Sequence, residues 1–136
     1  MKKYNPNLNV LEAARQRIAL SFDEFERIYV SFSGGKDSGV MLSLVLDEAI
    51  KRDRKIGVLV VDLEAQYKHT IDFVERMMSH PNIDPYWVCL PIHLRNAVSQ
   101  FQPHWMCWDP AKKDAWVREL PTNCISDESY FPFFRR

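Results

Sequence analysis

A six-residue stretch carries the residue types of an anion-binding site. Backbone N–H groups at the start of a helix are unpaired and attract negative charge. Two glycines let the chain turn sharply and let a ligand approach the backbone closely. A lysine adds positive charge, and two serines add hydroxyl donors. The stretch predicts a phosphate-binding loop formed by Ser33, Gly34, Gly35, Lys36, Asp37 and Ser38.

Asp37 is the only acid in this loop, and the sequence leaves two roles open for it. Its carboxylate could cap the N–H groups of the helix that follows. Alternatively, it could hold a Mg²⁺ ion that bridges to the phosphate. For the whole loop, the structural alternative is a tight strand-to-helix turn with an ordinary cap. The spacing differs from G-x-x-x-x-G-K-[ST], so the loop is not a Walker A motif.

Alternating strands and helices are predicted around the loop. Asn9 and Glu12 form a candidate capping pair, after which helical spacing of apolar residues begins. Helices are predicted at 10–25, 38–52 and 66–79, strands at 27–32, 55–63 and 86–92, and a turn at 81–85. The β-α-β-α-β order implies a parallel sheet, whose ligands bind at the carboxyl ends of the strands.

The second strand and the second helix are apolar enough to suggest deep burial. The strand at 55–63 is continuously apolar, as parallel strands covered on both faces tend to be. The helix at 38–52 is apolar around most of its circumference, so we expect it to be mostly buried. These patterns favour a sheet between layers of helices.

The chain of 136 residues is long enough for one domain, which we divide into three parts. Residues 1–26 form an N-terminal helix, 27–92 a βαβαβ core, and 93–136 an aromatic-rich segment with a helical piece at 93–100. The apolar stretch YFPFF at 130–134 either packs on the core or forms an interface with a second copy or a protein partner.

Composition narrows the class of protein. Eighteen basic and eighteen acidic residues cancel, so nucleic-acid binding is not indicated. No stretch is long enough to span a bilayer, and no signal peptide is recognisable, so we expect a cytoplasmic protein without membrane contact. An odd number of cysteines, three, without a C-x-x-C pair argues against a disulfide framework and a zinc site.

Further candidate residues follow the second strand. Asp62 and Glu64 come at the same sheet edge as the loop and could bind a ribose hydroxyl or a metal ion. A helix cap or a solvated surface acid is the structural alternative for both. Gln66 and Tyr67 could contact adenine, although Tyr67 also fits the apolar stripe of the next helix.

The three cysteines receive different predictions. Cys89 lies inside an apolar strand and is expected to be a small buried hydrophobe. Cys107 lies among aromatic residues, and Cys124 lies in a polar loop. If a thiol of this chain attacks a sulfonate, one of these two is the candidate, provided that its pKa is lowered.

The loop SGGKDS is the signature of the PP-loop superfamily, which the chain resembles. Blocks such as VSFSGGKDSGVMLSLVLDEA, DLEAQYKHTIDFVERMM, HWMCWDP and WVRELP are similar to the phosphoadenosine phosphosulfate (PAPS) reductase-like family that includes an immunoglobulin-binding regulator. The resemblance covers nearly the whole chain. It implies an α/β fold of the adenine nucleotide α-hydrolase-like (Rossmann-like) type, a three-layer parallel sheet that this chain could hold in truncated form.

The resemblance also implies a function. The six loop residues would hold phosphate or sulfate of an adenine nucleotide, PAPS or ATP, and Arg118 would join them because it lies in a family block. We expect a PAPS reductase or sulfurtransferase with Lys36 and Asp37 as catalytic residues. The chain lacks the E-C-G-L-H tail that carries the catalytic cysteine of PAPS reductases. An adenylating ATP pyrophosphatase using Mg²⁺ and a non-catalytic nucleotide-binding regulatory protein are the alternatives.

Overall fold

A computed structural model of the chain describes residues 8–96 and 99–131. The strands β1, β2 and β3 form a parallel sheet in that order, and β4 and β5 form a separate antiparallel hairpin. The α/β class with a parallel sheet is therefore confirmed. The elements are α1 (Val10–Glu24), β1 (Tyr29–Ser31), α2 (Lys36–Lys51), β2 (Ile56–Val61), α3 (Lys68–Met78), β3 (Ile83–Val88), β4 (Ile92–Arg95), β5 (His104–Cys107) and two short 3-10 helices, Pro110–Ala115 and Glu128–Tyr130.

Helices α2 and α3 pack side by side over one face of the sheet. The rings of Phe32, just after β1, and Phe73 of α3 meet edge to face at 5.6 Å. Gly39 of α2 lies so close to α3 that an added methyl group would be 3.4 Å from the Phe73 ring. The strand residues under these helices, such as Val30 and Val58, are buried. Two of the three predicted layers are thus present in the described residues.

Helix α1 begins at the predicted capping pair, and an arginine from the loop after α2 binds its C-terminal end. The side chain of Asn9 accepts from the Glu12 amide at 2.9 Å, and the Glu12 carboxylate accepts from the Asn9 amide at 3.2 Å, which confirms the capping box. At the other end, Arg54 donates to the backbone carbonyls of Phe22 and Phe25. These contacts join α1 to the loop after α2.

Two predictions of secondary structure are wrong. The third strand begins at Ile83, inside the segment assigned to a turn, because Pro85 is tolerated in a strand at the edge of the sheet. Residues 93–95, assigned to a helical piece, belong instead to strand β4 (Ile92–Arg95), since Ile92 and Leu94 alternate with exposed His93 and Arg95.

Helix α2 is also less buried than its composition suggested. Its buried residues, Gly39, Leu42, Val45, Leu46 and Ala49, lie on one face. Val40, Met41 and Ile50 are exposed. Burial is therefore confined to one face of the helix, and these three apolar side chains stay exposed in the part of the chain that the structure describes.

The segment after β5 returns to the sheet beside β3. The amide of Ile125 donates to the Trp87 carbonyl at 2.6 Å, and the Ile125 carbonyl accepts from the Cys89 amide at 2.9 Å. Most of the stretch YFPFF lies outside the described residues. Within those residues, no helix is long and apolar enough to cross a membrane.

Candidate functional site

The loop between β1 and α2 leaves the start of α2 open. Gly35 is the N-cap of the helix, and no side chain caps it. The first amides of α2 therefore have no partner within the helix, as at any helix start. Asp37 lies exposed in the first turn, and its carboxylate accepts no hydrogen bond from these N–H groups, so the first of its two candidate roles is not observed. Lys36 is exposed beside it. Unpaired amides and a mobile cation can together stabilise an anion.

Two serines hold the loop in shape. The hydroxyl oxygens of Ser33 and Ser38 lie 3.0 Å apart. Ser38 Oγ donates to the Gly35 carbonyl at 3.1 Å and accepts from the Ser33 amide at 3.3 Å. The Gly35 amide in turn donates to Ser33 Oγ at 3.4 Å. Both hydroxyls therefore fix the turn before any ligand arrives.

The two glycines have different tasks. Gly34 has a φ of +76°, and an added methyl group would lie 2.7 Å from Cγ2 of Thr70 and 2.9 Å from Cγ2 of Val74. Glycine is required there both for the backbone conformation and for contact with α3. A methyl group on Gly35 would meet only Ser33 Oγ, at 3.4 Å. The close approach at Gly34 is thus to α3, while Gly35 faces away from the core.

Asp62 is a buried structural acid. The residue is 1% exposed, so it is not a solvated surface acid. Its Oδ2 accepts from the Trp87 indole at 2.7 Å, and its Oδ1 accepts from the Glu64 amide at 2.9 Å and from Arg118 Nη2. Burial of a carboxylate is stable only with such partners.

Glu64 ties the segment after β5 to the end of β2. The residue is 4% exposed and adopts a φ of +67°. Its two carboxylate oxygens accept from the backbone amides of Trp108, at 2.6 Å, and Val117, at 3.0 Å. The carbonyl of Glu64 accepts from Arg118 Nε at 3.0 Å. Like Asp62, Glu64 is neither a helix cap nor a solvated acid.

Arg118 completes a cluster that we call the acid clamp, defined by Asp62, Glu64, Trp87, Trp108 and Arg118. The guanidinium lies 4.8 Å from the centre of the Trp108 ring, with a side chain 20% exposed. Its Nη2 donates to Asp62 Oδ1, so the positive charge lies against the buried carboxylate. The structure brings the three predicted residues of this clamp together, and adds two tryptophans that sequence reasoning missed because their partners are distant in the chain.

The cysteines give no exposed thiol near the loop. Cys107 is completely buried, its Sγ approaches the carbonyl of Ile92 at 3.6 Å, and burial raises the pKa of its thiol. Burial, followed by the charge of Asp62, also raises the pKa of the Cys89 thiol, which confirms that residue as a buried hydrophobe. Cys124 is half-buried against the core. A raised pKa disfavours the nucleophilic thiolate.

The first turn of α3 borders the loop, because Thr70 contacts Gly34. Tyr67, just before this helix, is 86% exposed, so its assignment to the core stripe is wrong. Lys68 and His69 are also exposed, and Lys68 Nζ pairs with Asp72 at 2.7 Å. Within the described ranges, no three histidine, cysteine or acidic side chains cluster as metal ligands.

Comparison with known proteins assigns the family. The model of the phosphoadenosine phosphosulfate reductase domain matches residues 27–113, which include both the loop and the acid clamp up to Trp108. The chain belongs to the PAPS reductase domain family. It is also 44% identical over 131 residues to the uncharacterized protein YbdN of Escherichia coli strain K12. That match covers 94% of this chain but 32% of the relative, so the chain spans about a third of its length. No solved structure matches.

The two loop glycines should respond differently to alanine. Gly34→Ala is expected to lower the free energy of unfolding by about 2–4 kcal/mol, from the left-handed conformation and the clash with α3. Gly35→Ala should cost about 1 kcal/mol or less, since only its N-cap preference changes. Urea denaturation of both variants measures this. Equal losses would contradict the assigned contact with α3.

Removing one partner from the acid clamp should be strongly destabilising. Asp62→Asn removes the charge opposite Arg118 and places an amide against donors, so we expect a loss of about 3 kcal/mol in unfolding free energy. Asp72→Asn, in the exposed pair with Lys68, serves as the control and should change stability by at most about 1 kcal/mol. Denaturation curves of the two variants that coincide would show that the clamp is not a buried ion pair.

Proposed function

We propose that this protein binds an adenine nucleotide and holds its phosphate or sulfonate at the loop Ser33–Ser38. The observation that carries the proposal is the open start of α2, with Gly35 as an N-cap without side-chain capping and Lys36 exposed beside it. Membership in the PAPS reductase domain family supports a nucleotide as the source of the anion.

The chemistry proposed for this site is transfer of a group from the nucleotide, in the manner of a PAPS reductase or sulfurtransferase. Charge that develops on the phosphate or sulfonate oxygens would be stabilised by the first amides of α2 and by Lys36. Such donors are effective because they are in place before the reaction. The serine hydrogen bonds, with Ser33 Oγ and Ser38 Oγ 3.0 Å apart, support this preorganisation.

Tyr67 and Asp37 extend the proposal beyond the anion. Tyr67 is 86% exposed next to the first turn of α3 and offers a ring on which adenine could stack. Asp37 is exposed in the first turn of α2 and supplies one carboxylate. Mg²⁺ is commonly bound by one or two carboxylates together with substrate phosphates, so Asp37 fits a nucleotide-bound Mg²⁺ ion. With Mg²⁺ bound in this way, the proposed chemistry would be that of an adenylating ATP pyrophosphatase.

A nucleotide-binding protein without turnover is the second candidate. It is favoured by the state of the thiols: Cys89 and Cys107 are buried with raised pKa values, and Cys124 is half-buried. A reductive step would then need a thiol supplied by another molecule. We therefore do not assign Cys107 or Cys124 as the nucleophile.

Lys36→Ala tests the role of the loop. Losing a charge-assisted contact should weaken nucleotide binding about tenfold to a hundredfold, since such hydrogen bonds contribute about 1.5–3 kcal/mol. Lys51→Ala, an exposed lysine at the other end of α2, is the matched control and should bind like the wild type. Fluorescence titration with a labelled adenine nucleotide measures both.

Product analysis separates the candidates in the same samples. Adenosine bisphosphate released from PAPS supports sulfonate transfer, pyrophosphate released from ATP supports adenylation, and tight binding without either product supports a regulatory protein. If Lys36→Ala and Lys51→Ala bind the nucleotide equally well, the anion is not held at this loop and the proposal fails.

A further inference from the structure

The first turn of α3 flanks the turn that leads into α2. A methyl group added to Gly34 would lie 2.7 Å from Cγ2 of Thr70 and 2.9 Å from Cγ2 of Val74. Thr70 belongs to the first turn of α3, and Val74 lies one turn further along the helix. Because Gly34 comes just before the N-cap of α2, an anion held at the open start of α2 would have Thr70 as a neighbour.

The hydroxyl of Thr70 is not used in holding the fold. The methyl carbon Cγ2 is the atom turned toward Gly34, so Oγ1 points in another direction. Elsewhere a helical hydroxyl can return to the carbonyl four residues earlier, as Ser43 does to Gly39 at 2.9 Å. For Thr70 that residue is Gln66, which precedes α3. Within residues 8–96 and 99–131, no group forms a hydrogen bond with Thr70 Oγ1.

The same hydroxyl reaches solvent. Thr70 is half-buried. Among the described residues, every side-chain nitrogen or oxygen that is completely buried in such a residue has a hydrogen-bond partner. Because Thr70 Oγ1 has no partner there, it is not one of these buried atoms. A hydroxyl carries one donor proton, and the proton of Thr70 is therefore open to a ligand.

The hydroxyls of the loop itself have no proton to spare. Ser38 Oγ donates to the Gly35 carbonyl at 3.1 Å. Each hydroxyl has a single proton, so the bond of 3.0 Å between the hydroxyls of Ser33 and Ser38 uses the proton of Ser33. Both serines therefore hold the turn with the protons that they would otherwise offer to an anion. Thr70 is the neighbouring hydroxyl whose proton is not committed.

We propose that Thr70 is a binding residue of the nucleotide site, with its hydroxyl donating a hydrogen bond to an oxygen of the phosphate or sulfonate held at Ser33–Ser38. This inference rests on the function proposed above. It gives the two branches of one side chain separate tasks. The methyl group packs against Gly34 and fixes the start of α2, while the hydroxyl contacts the anion.

Two substitutions separate these tasks. Thr70→Val keeps a methyl group against Gly34 and removes the hydroxyl, so nucleotide binding should weaken about tenfold while the thermal midpoint stays close to that of the wild type. Thr70→Ser keeps the hydroxyl and removes the methyl group, so binding should stay close to that of the wild type while the midpoint falls. Thr122→Val is the matched control, at an exposed threonine that borders a groove with Met78 and Ser79 at the other end of α3. It should bind like the wild type.

Calorimetric titration with ATP and with adenosine bisphosphate measures binding, and displacement by inorganic sulfate shows which part of the nucleotide Thr70 contacts. We expect Thr70→Val to weaken nucleotide and sulfate alike, because both present an anion to the loop. A Thr70→Val protein that binds like the wild type would overturn the inference and leave nucleotide binding intact.

Two further results would also overturn the contact with the anion. Weaker nucleotide binding in Thr70→Val with unchanged displacement by sulfate would place the contact on the nucleoside. Equally weak binding in Thr70→Ser and Thr70→Val would make packing, and not the hydroxyl, the cause. If the wild type binds neither nucleotide, or if sulfate does not displace the one that it binds, the proposed anion site itself fails, and the role of Thr70 fails with it.

Discussion

The turn at Gly34 constrains the loop, the second helix and the third helix together. The backbone there adopts a φ of +76° and passes so close to Thr70 and Val74 that no side chain fits. Because the turn is held against α3, α2 must start at a fixed place, with Gly35 and Lys36 exposed at its start. The open helix start is thus a consequence of how the two helices pack, and the hydroxyls of Ser33 and Ser38 then stabilise the path between them.

The acid clamp fixes the chain at the end of the neighbouring strand, β2. Asp62 and Glu64 follow β2 at the carboxyl edge, where ligand-binding acids are common in α/β proteins. In this chain their oxygens accept from Trp87, Trp108, Val117 and Arg118. These hydrogen bonds fasten the segment after β5 to the carboxyl end of β2. Their removal would release that segment from the end of β2.

Local patterns in the sequence predicted much of this structure. The capping box of α1, the parallel order of β1, β2 and β3, and the loop before α2 each depend on residues within a few positions of one another. The clamp could not be predicted in the same way, since Arg118 and Asp62 are separated by 56 residues and burial decides their roles. The hairpin of β4 and β5 was missed although Ile92, His93, Leu94 and Arg95 alternate, because four residues give a weak period.

Nucleotide binding at the start of α2 is the central claim, and calorimetric titration of the unaltered protein tests it most directly. The protein is titrated with PAPS, adenosine bisphosphate, ATP and AMP, with and without magnesium, and inorganic sulfate is added as a competitor. We predict saturable binding of at least one of these nucleotides, weakened by sulfate and by rising ionic strength because the contact is charged. Absence of binding to all four nucleotides would contradict the account.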